Sequence, residues 1–504
     1  MNFMKKSFKD KLGIILFIIG LIFLGIMTCV GFTKLGMWYD EIYSINMIKL
    51  PFSEMVSLSS KDVHPILYYC IYKFFFKIST LLNIPNMILV GKLVSLLPFY
   101  LIIILTATKV RKSFGWLTAG IFAICITSMP QLMHYGVELR MYSWGLFFIT
   151  ASFIYVYDII SRESNWKQWV ILTILTICSA YTHYYSAIAS FILYFALLIY
   201  FILKNKKELK KWLISAIVSV ISFLPWVVIL LSQIQKTDYY WIKPITLKTI
   251  VGYIWYVFSP NNQMINANQI ATWSVLGILL LISVVILVIS YLRRSEKDII
   301  GKYAFMGILI TVFVPLIGII ISVITHPFFH PRYMIPVLGC LWLGVSILLG
   351  KNYNKKEIFI PVLVIILLVG AVGTINFEKI QTQDENTDIA FTKTLKDTFG
   401  SGNIIIYDFF PVMLEMNNYY LIDNHHICLP LDNGLRHFNQ SVLEIDKIIE
   451  DPGVKNEIQH GSKVYYMQSK NYDDNISLYN DKFTLKEIPI KLDIGATFYE
   501  VIIK

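Results

Sequence analysis

Ionisable side chains are scarce in this sequence and almost absent from its longest apolar runs: Asp, Glu, Lys and Arg make up 15% of the 504 residues, against 56% apolar. That excludes an ordinary soluble globule, because several of the uncharged runs exceed the roughly 18 residues that mark a spanning helix. Paired cysteines are lacking too. Five of the six (Cys29, Cys70, Cys125, Cys178, Cys340) lie in apolar segments and only Cys428 lies in the polar C-terminal region, which excludes a disulfide framework and a paired-cysteine zinc motif. There is no internal repeat and no low-complexity tract. No Ala-x-Ala cleavage site follows the basic start (Lys5, Lys6, Lys9, Lys11), and the next apolar stretch, about twenty residues, is too long for a signal core. The sequence therefore predicts an uncleaved first helix. The net charge of +11 does not mark a nucleic-acid binder, since the basic residues lie in short loops between apolar runs rather than on one patch.

What remains reads as a polytopic α-helical membrane protein. Apolar spans fall near 12–32, 86–108, 116–134, 143–160, 169–182, 185–203, 212–232, 270–292, 303–325, 333–350 and 358–376, which gives eleven helices. With a cytoplasmic N-terminus the inside loops are KVRKS, SRESNWK, KNKKELKK, RRSEKD and KNYNKKE, all basic, as the positive-inside rule requires. The stretch 66–82 is apolar enough to suggest a twelfth span, but crossing there would invert the parity and push the lysines of 204–211 outside. With Lys73 and Lys77 it reads instead as an amphipathic helix in the outer interface.

The predicted organisation is a membrane domain, 1–376, with a first outer loop at 33–85, followed by an extracytoplasmic domain, 377–504. Short β-prone runs at 403–410 and 463–469, with a helix-like segment around 441–450, predict a small α/β unit there. His425, His426 and His437 show no recurring ligand spacing and read as scattered surface histidines.

Acidic, His and Arg side chains gather at the outer ends of the spans: Asp40-Glu41 in WYDEIYS, Asp62 and His64 in KDVHPILYY, Glu138 and Arg140 in HYGVELRMYS, His183 in THYYS, and Arg332-Tyr333 in HPRYMIP. Polar groups concentrated at one membrane face imply chemistry there. On a helix Asp40 and Glu41 diverge by about 100°, so only one faces a given cavity. Pro65 biases His64 toward an extended backbone, and alternation then puts Asp62 and His64 on one side. His134 and Glu138, four apart, share a helical face if the third span continues that far. Tyr39, Tyr43, Tyr68 and Tyr69 read as interfacial-belt aromatics.

The combination resembles the GT-C membrane glycosyltransferases: an acidic pair after helix 1, a D-x-H-P element before an interfacial L-Y-Y helix, E-x-R-M-Y after helix 3, and R-Y near the outer end of a late helix. The branch it is most similar to is that of protein O-mannosyltransferases and lipid A aminoarabinose transferases. The likeness covers roughly the first 200 residues by motif and the later helices by topology. It implies Asp40 as catalytic base and a substrate-binding set of Glu41, Asp62, His64, Glu138, Arg140, His183, Arg332 and Tyr333. The chain departs from the pattern at Pro65-Ile66, where two prolines are frequent, and at Tyr142, where an Asp often stands; the second bears on any two-aspartate metal arrangement.

The implied reaction moves a sugar from a polyprenyl-phosphate carrier to an envelope glycan, lipid or protein at the outer face of the plasma membrane. By analogy with inverting glycosidases, a base opposite the leaving group gives inversion. Arg332 is the preferred phosphate partner, with Arg140 second, because a planar guanidinium makes bidentate contacts; the competing reading of Arg332 is a snorkelling interfacial residue. A divalent metal could share the phosphate's charge, with Asp62, His64, Glu138 or His183 as ligands, and its need is left open. Two alternatives stand beside this expectation: a lipid-linked oligosaccharide polymerase or ligase, and a lipid or solute transporter. A transporter normally carries ionisable groups near the bilayer midplane, whereas spans 3 and 5 to 11 contain none and Lys92 and Asp158 lie near span ends.

Overall fold

The computed structural model describes the chain apart from residues 1–6, 34–36, 162–163, 236–241, 243, 260–266, 326, 430–444, 470–480 and 491–495. It divides into two compact units, Met1–Thr33 with Met47–Gln381, and Lys34–Asn46 with Thr382–Lys504.

The first unit is helical. In order the chain forms α1 (Phe8–Thr33), α2 (Tyr39–Lys49, whose last residues belong to this unit), α3 (Phe52–Lys61), α4 (Leu67–Leu81), α5 (Met87–Leu105), α6 (Arg111–Ser128), α7 (Pro130–Val137) and α8 (Tyr142–Ser161). It continues through α9 (Trp166–Ala180), α10 (Tyr184–Lys204), α11 (Leu209–Gln235), α12 (Leu247–Phe258), α13 (Ala267–Leu292), α14 (Ile299–Ile324), a 3₁₀ turn at Pro331–Val337, α15 (Leu338–Lys351) and α16 (Lys356–Phe399, which belongs to this unit up to Gln381 and to the second unit beyond it). Among the described residues nine helical stretches are long and apolar enough to cross a membrane. One, Met87–Ser128, joins α5 to α6 and is broken at Gly115, whose φ of 84° only glycine adopts freely. With that break and the shorter apolar α9, each of the eleven expected spans has its helix. Helices suit this setting because they satisfy every backbone polar group internally. The protein is a multi-pass membrane protein.

Packing fixes the relative direction of the early helices. A β-carbon on Gly13 would lie 2.3 Å from the backbone of Trp116, one on Gly20 would lie 2.8 Å from Ala123, and Thr127 Oγ1 donates to the Gly20 carbonyl at 2.9 Å. Contacts that rise together along both sequences make α1 and α6 parallel. Parallel packing requires an even number of crossings from the start of α1 to the start of α6, which α1 and α5 supply without α4. A twelfth crossing by α4 would have made the pair antiparallel.

The basic loops meet at one end. Lys109 pairs with Asp158, Glu208 with Ser164 and Lys211, and Lys351 with Asp298, while Lys9 sits 5.6 Å from the ring of Tyr353. α15 is buried along its length and forms the centre of the unit.

Two expectations are corrected here. Tyr68 and Tyr69 are fully buried, as is Tyr72, so this face of α4 is core and not an interfacial belt. The third span also stops early, at Ser128: Met129 precedes a proline and takes ψ 130°, and Pro130 starts the separate helix α7.

The second unit carries a five-stranded sheet of β1 (Ile404–Tyr407), β2 (His425–Cys428), β3 (Val464–Ser469), β4 (Phe483–Glu487) and β5 (Ala496–Ile503), in the order β2-β1-β3-β5-β4. The first three are mutually parallel, and β5 runs antiparallel to both β3 and β4. Alternate residues feed two cores. Ile404, Ile406, Val464 and Tyr466 face one; Ile405, Tyr407, Tyr465 and Met467 face the other, against Phe391, Leu395 and Phe399 of α16. Short helices α17 (Phe410–Glu415) and α18 (Pro452–Gln459) complete the small α/β unit. Residues 445–450 are helical, whereas 441–444 and His437 lie outside the described residues. His425 pairs with Glu457 at 3.0 Å and His426 bonds the Tyr407 hydroxyl at 2.8 Å, so each is held by its own partner.

Candidate functional site

Four segments of the first unit converge at the ends of the helices opposite the basic loops. His64 stands between α3 and α4, His183 caps α10, Tyr142 opens α8, and Tyr333 lies in the 3₁₀ turn before α15. Their rings form one cluster. The centroids of His64 and His183 are 5.5 Å apart, Tyr333 lies 5.1 Å from His183 and 6.0 Å from His64, and Tyr142 lies 5.7 Å from His183.

Two guanidinium groups act on this cluster. Burial pushes His64 well below the ordinary histidine range, and Arg140, His183 and Arg332 push it further. His183 falls to about 3, through burial first and then Arg140 and Arg332. Both imidazoles are therefore neutral at physiological pH. The His183 Nδ1 accepts the Tyr185 backbone N–H at 3.2 Å, which places its proton on Nε2. That Nε2 is buried and makes no hydrogen bond among the described residues. Two guanidinium groups and a buried N–H donor among aromatic rings suit an anion.

The loop carrying Asp62 and His64 is braced from α10 and α11. Gln233 Nε2 donates to the carbonyls of Ser59 and Ser60 at 3.3 and 3.2 Å, its Oε1 accepts the Tyr184 hydroxyl, and Trp226 Nε1 donates to that hydroxyl at 3.0 Å. Ser59 Oγ closes the loop on the His64 carbonyl at 3.1 Å. Asp62 takes an extended backbone at the end of α3 and lies within electrostatic reach of Tyr184. Asp62 and His64 thus both address the start of α10. Nothing in the sequence singled out Gln233, Tyr184 or Trp226; the one available signal was an amide, Gln233, near the end of an otherwise apolar helix.

Glu138 follows α7 in an extended conformation, yet still meets His134 at 3.0 Å. Its second oxygen, Oε2, is buried with no hydrogen-bond partner among the described residues. Beside this pair a cavity of about 530 Å³ is walled by His134, Tyr135, Tyr256, His330 and Asn376. Among the described residues no group of three His, Cys, Asp or Glu could hold a metal ion. The field of Arg140 and Arg332 also opposes a cation at the rings of His64 and His183.

Asp40 and Glu41 belong to the second unit. They occupy the first turn of α2, where acidic residues complement the helix dipole. Glu41 reaches back to accept the Trp38 N–H at 3.3 Å, half of a capping box. Of the two, Glu41 is thus engaged in holding its own helix.

This architecture has solved counterparts. ArnT from Cupriavidus metallidurans in the apo state is similar with a TM-score of 0.55 at 11% identity, over 95% of this chain and 97% of that one. The same protein bound to undecaprenyl phosphate matches with a TM-score of 0.53 at 10% identity, over 97% of both chains. The chain shares the fold of these ArnT structures. At this identity the likeness concerns fold alone, and it agrees with the branch that the sequence motifs resemble. No protein-family model matches the sequence, and no curated protein matches it.

Proposed function

We propose that the chain is a membrane glycosyltransferase that takes a sugar from a polyprenyl-phosphate carrier and passes it to an envelope glycan, lipid or protein at the outer face of the plasma membrane. The observation that carries the reading is the buried site of Arg140, Arg332 and the His183 Nε2–H, cationic and walled by aromatic rings at one end of a helical membrane unit. Its chemistry suits a phosphate on a lipid. The likeness in fold to a protein solved with undecaprenyl phosphate supports the same class of donor.

In the proposed step the acceptor oxygen attacks the anomeric carbon, the bond from that carbon to the phosphate oxygen breaks, and the acceptor's proton passes to Asp40. The departing phosphate keeps the electron pair, and Arg332 and Arg140 hold its charge. Tyr333 and His64 flank the phosphate site. A base that acts from the face opposite the leaving group gives inversion. The basic loops face the cytoplasm in this reading, and the C-terminal unit lies outside.

The test is mass analysis of lipid-linked sugars and envelope glycans in cells with the parent protein, without it, and with Asp40→Asn at matched abundance. A positioned base contributes about 10² to 10⁴ in rate. Asp40→Asn cells should therefore match those lacking the protein, losing one glycan product and accumulating its donor. Identical glycan and lipid profiles in all three would sink the assignment.

A further inference from the structure

The sequence gives residues 382–504 no task beyond their place after the last span. Their unit, however, also contains residues 34–46, the segment that carries Asp40. Ile42 and Ile45 of that segment are buried, at 0% and 5% exposure. The first turn of any helix leaves backbone N–H groups without an intrahelical acceptor. In α2 the Trp38 N–H is taken by Glu41, and the next one, from Tyr39, is taken by the carboxylate of Glu415 at the end of α17. Tyr39 immediately precedes Asp40.

We propose that Glu415 is a positioning residue: through the Tyr39 N–H it holds the first turn of α2, so that the C-terminal domain sets where the Asp40 carboxylate stands. The proposal rests on the reading of Asp40 as base. A carboxylate at a helix start both satisfies an orphan donor and complements the dipole. Small displacements of a reacting group are costly, about 10²-fold for 1 Å.

The surroundings of Glu415 make this hold responsive to proton concentration. Burial raises its carboxyl to about 7, the Tyr39 N–H counteracts the rise, and Asp388 on α16 adds to it. Asp388 in turn accepts the Tyr420 hydroxyl at 3.2 Å. Above about pH 7 Glu415 is ionised and caps strongly. Below it the protonated acid accepts the N–H more weakly, and the turn loosens.

The test is hydrogen exchange on the full-length protein in detergent, following protection of residues 39–46 at pH 6 and pH 8 after correction for intrinsic rates. The parent should gain protection several-fold between the two. Glu415→Gln keeps the shape and an acceptor oxygen without the charge, and should show no such gain. Glu415→Ala should lose about tenfold at pH 8, the usual weight of a lost cap, and should leave more unconsumed polyprenyl-phosphate sugar in cells at matched abundance. Should the alanine variant fail to accumulate, the pH response of the glutamine variant decides alone. Parental protection in both variants would overturn the proposal. If protection changes as expected but Asp40→Asn cells consume donor like the parent, the positioning of α2 stands and the reading of Asp40 as base falls.

Discussion

Arg140 Nη1 donates to the hydroxyl of Tyr69 across 3.4 Å, joining the segment after α7 to the buried face of α4. The contact makes α4 part of the wall of the cationic site. It explains why a helix too short to count among the spans buries three tyrosines along one side. Lys73, one turn further on, donates to the carbonyls of Ile48 and Leu50 at 2.7 and 2.6 Å, so even its charged face is engaged in packing.

Arg332 should not tolerate exchange for lysine. The ammonium keeps the charge but loses the planar fork that, in the proposed role, grips two phosphate oxygens. Donor consumption in membranes should fall about tenfold or more, in line with one charge-assisted hydrogen bond of roughly 1.5–3 kcal/mol, while protein abundance stays at the parental level. Parental consumption by Arg332→Lys and Arg332→Ala alike would return Arg332 to the snorkelling reading.

Gln233→Leu should act at a distance from the chemistry. It removes the brace on Ser59 and Ser60 and leaves the half-buried Tyr184 hydroxyl with only the Trp226 donor among the described residues. Losing a hydrogen bond of this kind costs about 0.5–1.5 kcal/mol. The apparent KM for donor should rise more than kcat falls, because the loop bearing His64 is loosened while the base is untouched. An unchanged KM would show that the loop holds its shape without the amide.

The two neutral histidines give stability a pH dependence of definite sign. Because the folded pKa of His183 lies near 3 and an unfolded histidine titrates near 6.5, the unfolded chain binds more protons between those values. Stability contributed by the neutral form is complete above about pH 6.5 and is lost as pH falls toward 3. In detergent the melting temperature of the parent should drop on acidification from pH 7 to 5, and His183→Gln should flatten that slope. A slope unchanged by the substitution would assign the acid sensitivity elsewhere.

Orientation is checked with single cysteines at two exposed lysines. Lys486→Cys in β4 should react with an impermeant reagent in intact cells, and Lys207→Cys in the loop between α10 and α11 should not. Labelling at position 207 would invert the topology and move the cationic site to the cytoplasmic face.

Much of the membrane unit was legible because its signals are local. Apolar runs mark the helices, basic loops mark their ends, and Gly115 falls where a break was expected between two spans. The β-prone runs at 403–410 and 463–469 contain β1 and β3 for the same reason, since a few adjacent branched and aromatic residues suffice to mark a strand. What escaped the sequence depends on distant partners. Tyr68 and Tyr69 look like any interfacial tyrosine until Arg140 and α5 are placed beside them. Gln233 becomes meaningful only once α11 lies against the loop at 59–64, some 170 residues away in the chain. The membership of residues 34–46 in the C-terminal unit was equally hidden, since nothing within those residues names a partner more than 340 positions later.

The parallel seating of α1 against α6 also has a consequence for biosynthesis. Gly13 and Gly20 offer a groove that α6 fills with its backbone at Trp116 and with Ala123, yet α6 emerges after α5 has crossed the bilayer the other way. Until residue 128 has left the ribosome, α1 presents that groove to lipid or to the insertion machinery, and the nascent chain holds an unfinished helix pair. A bulky residue at Gly120, whose β-carbon would lie 2.2 Å from the Gly13 carbonyl, would leave the first helix inserted but never docked. Such a chain would be lost to quality control rather than to a defect in chemistry.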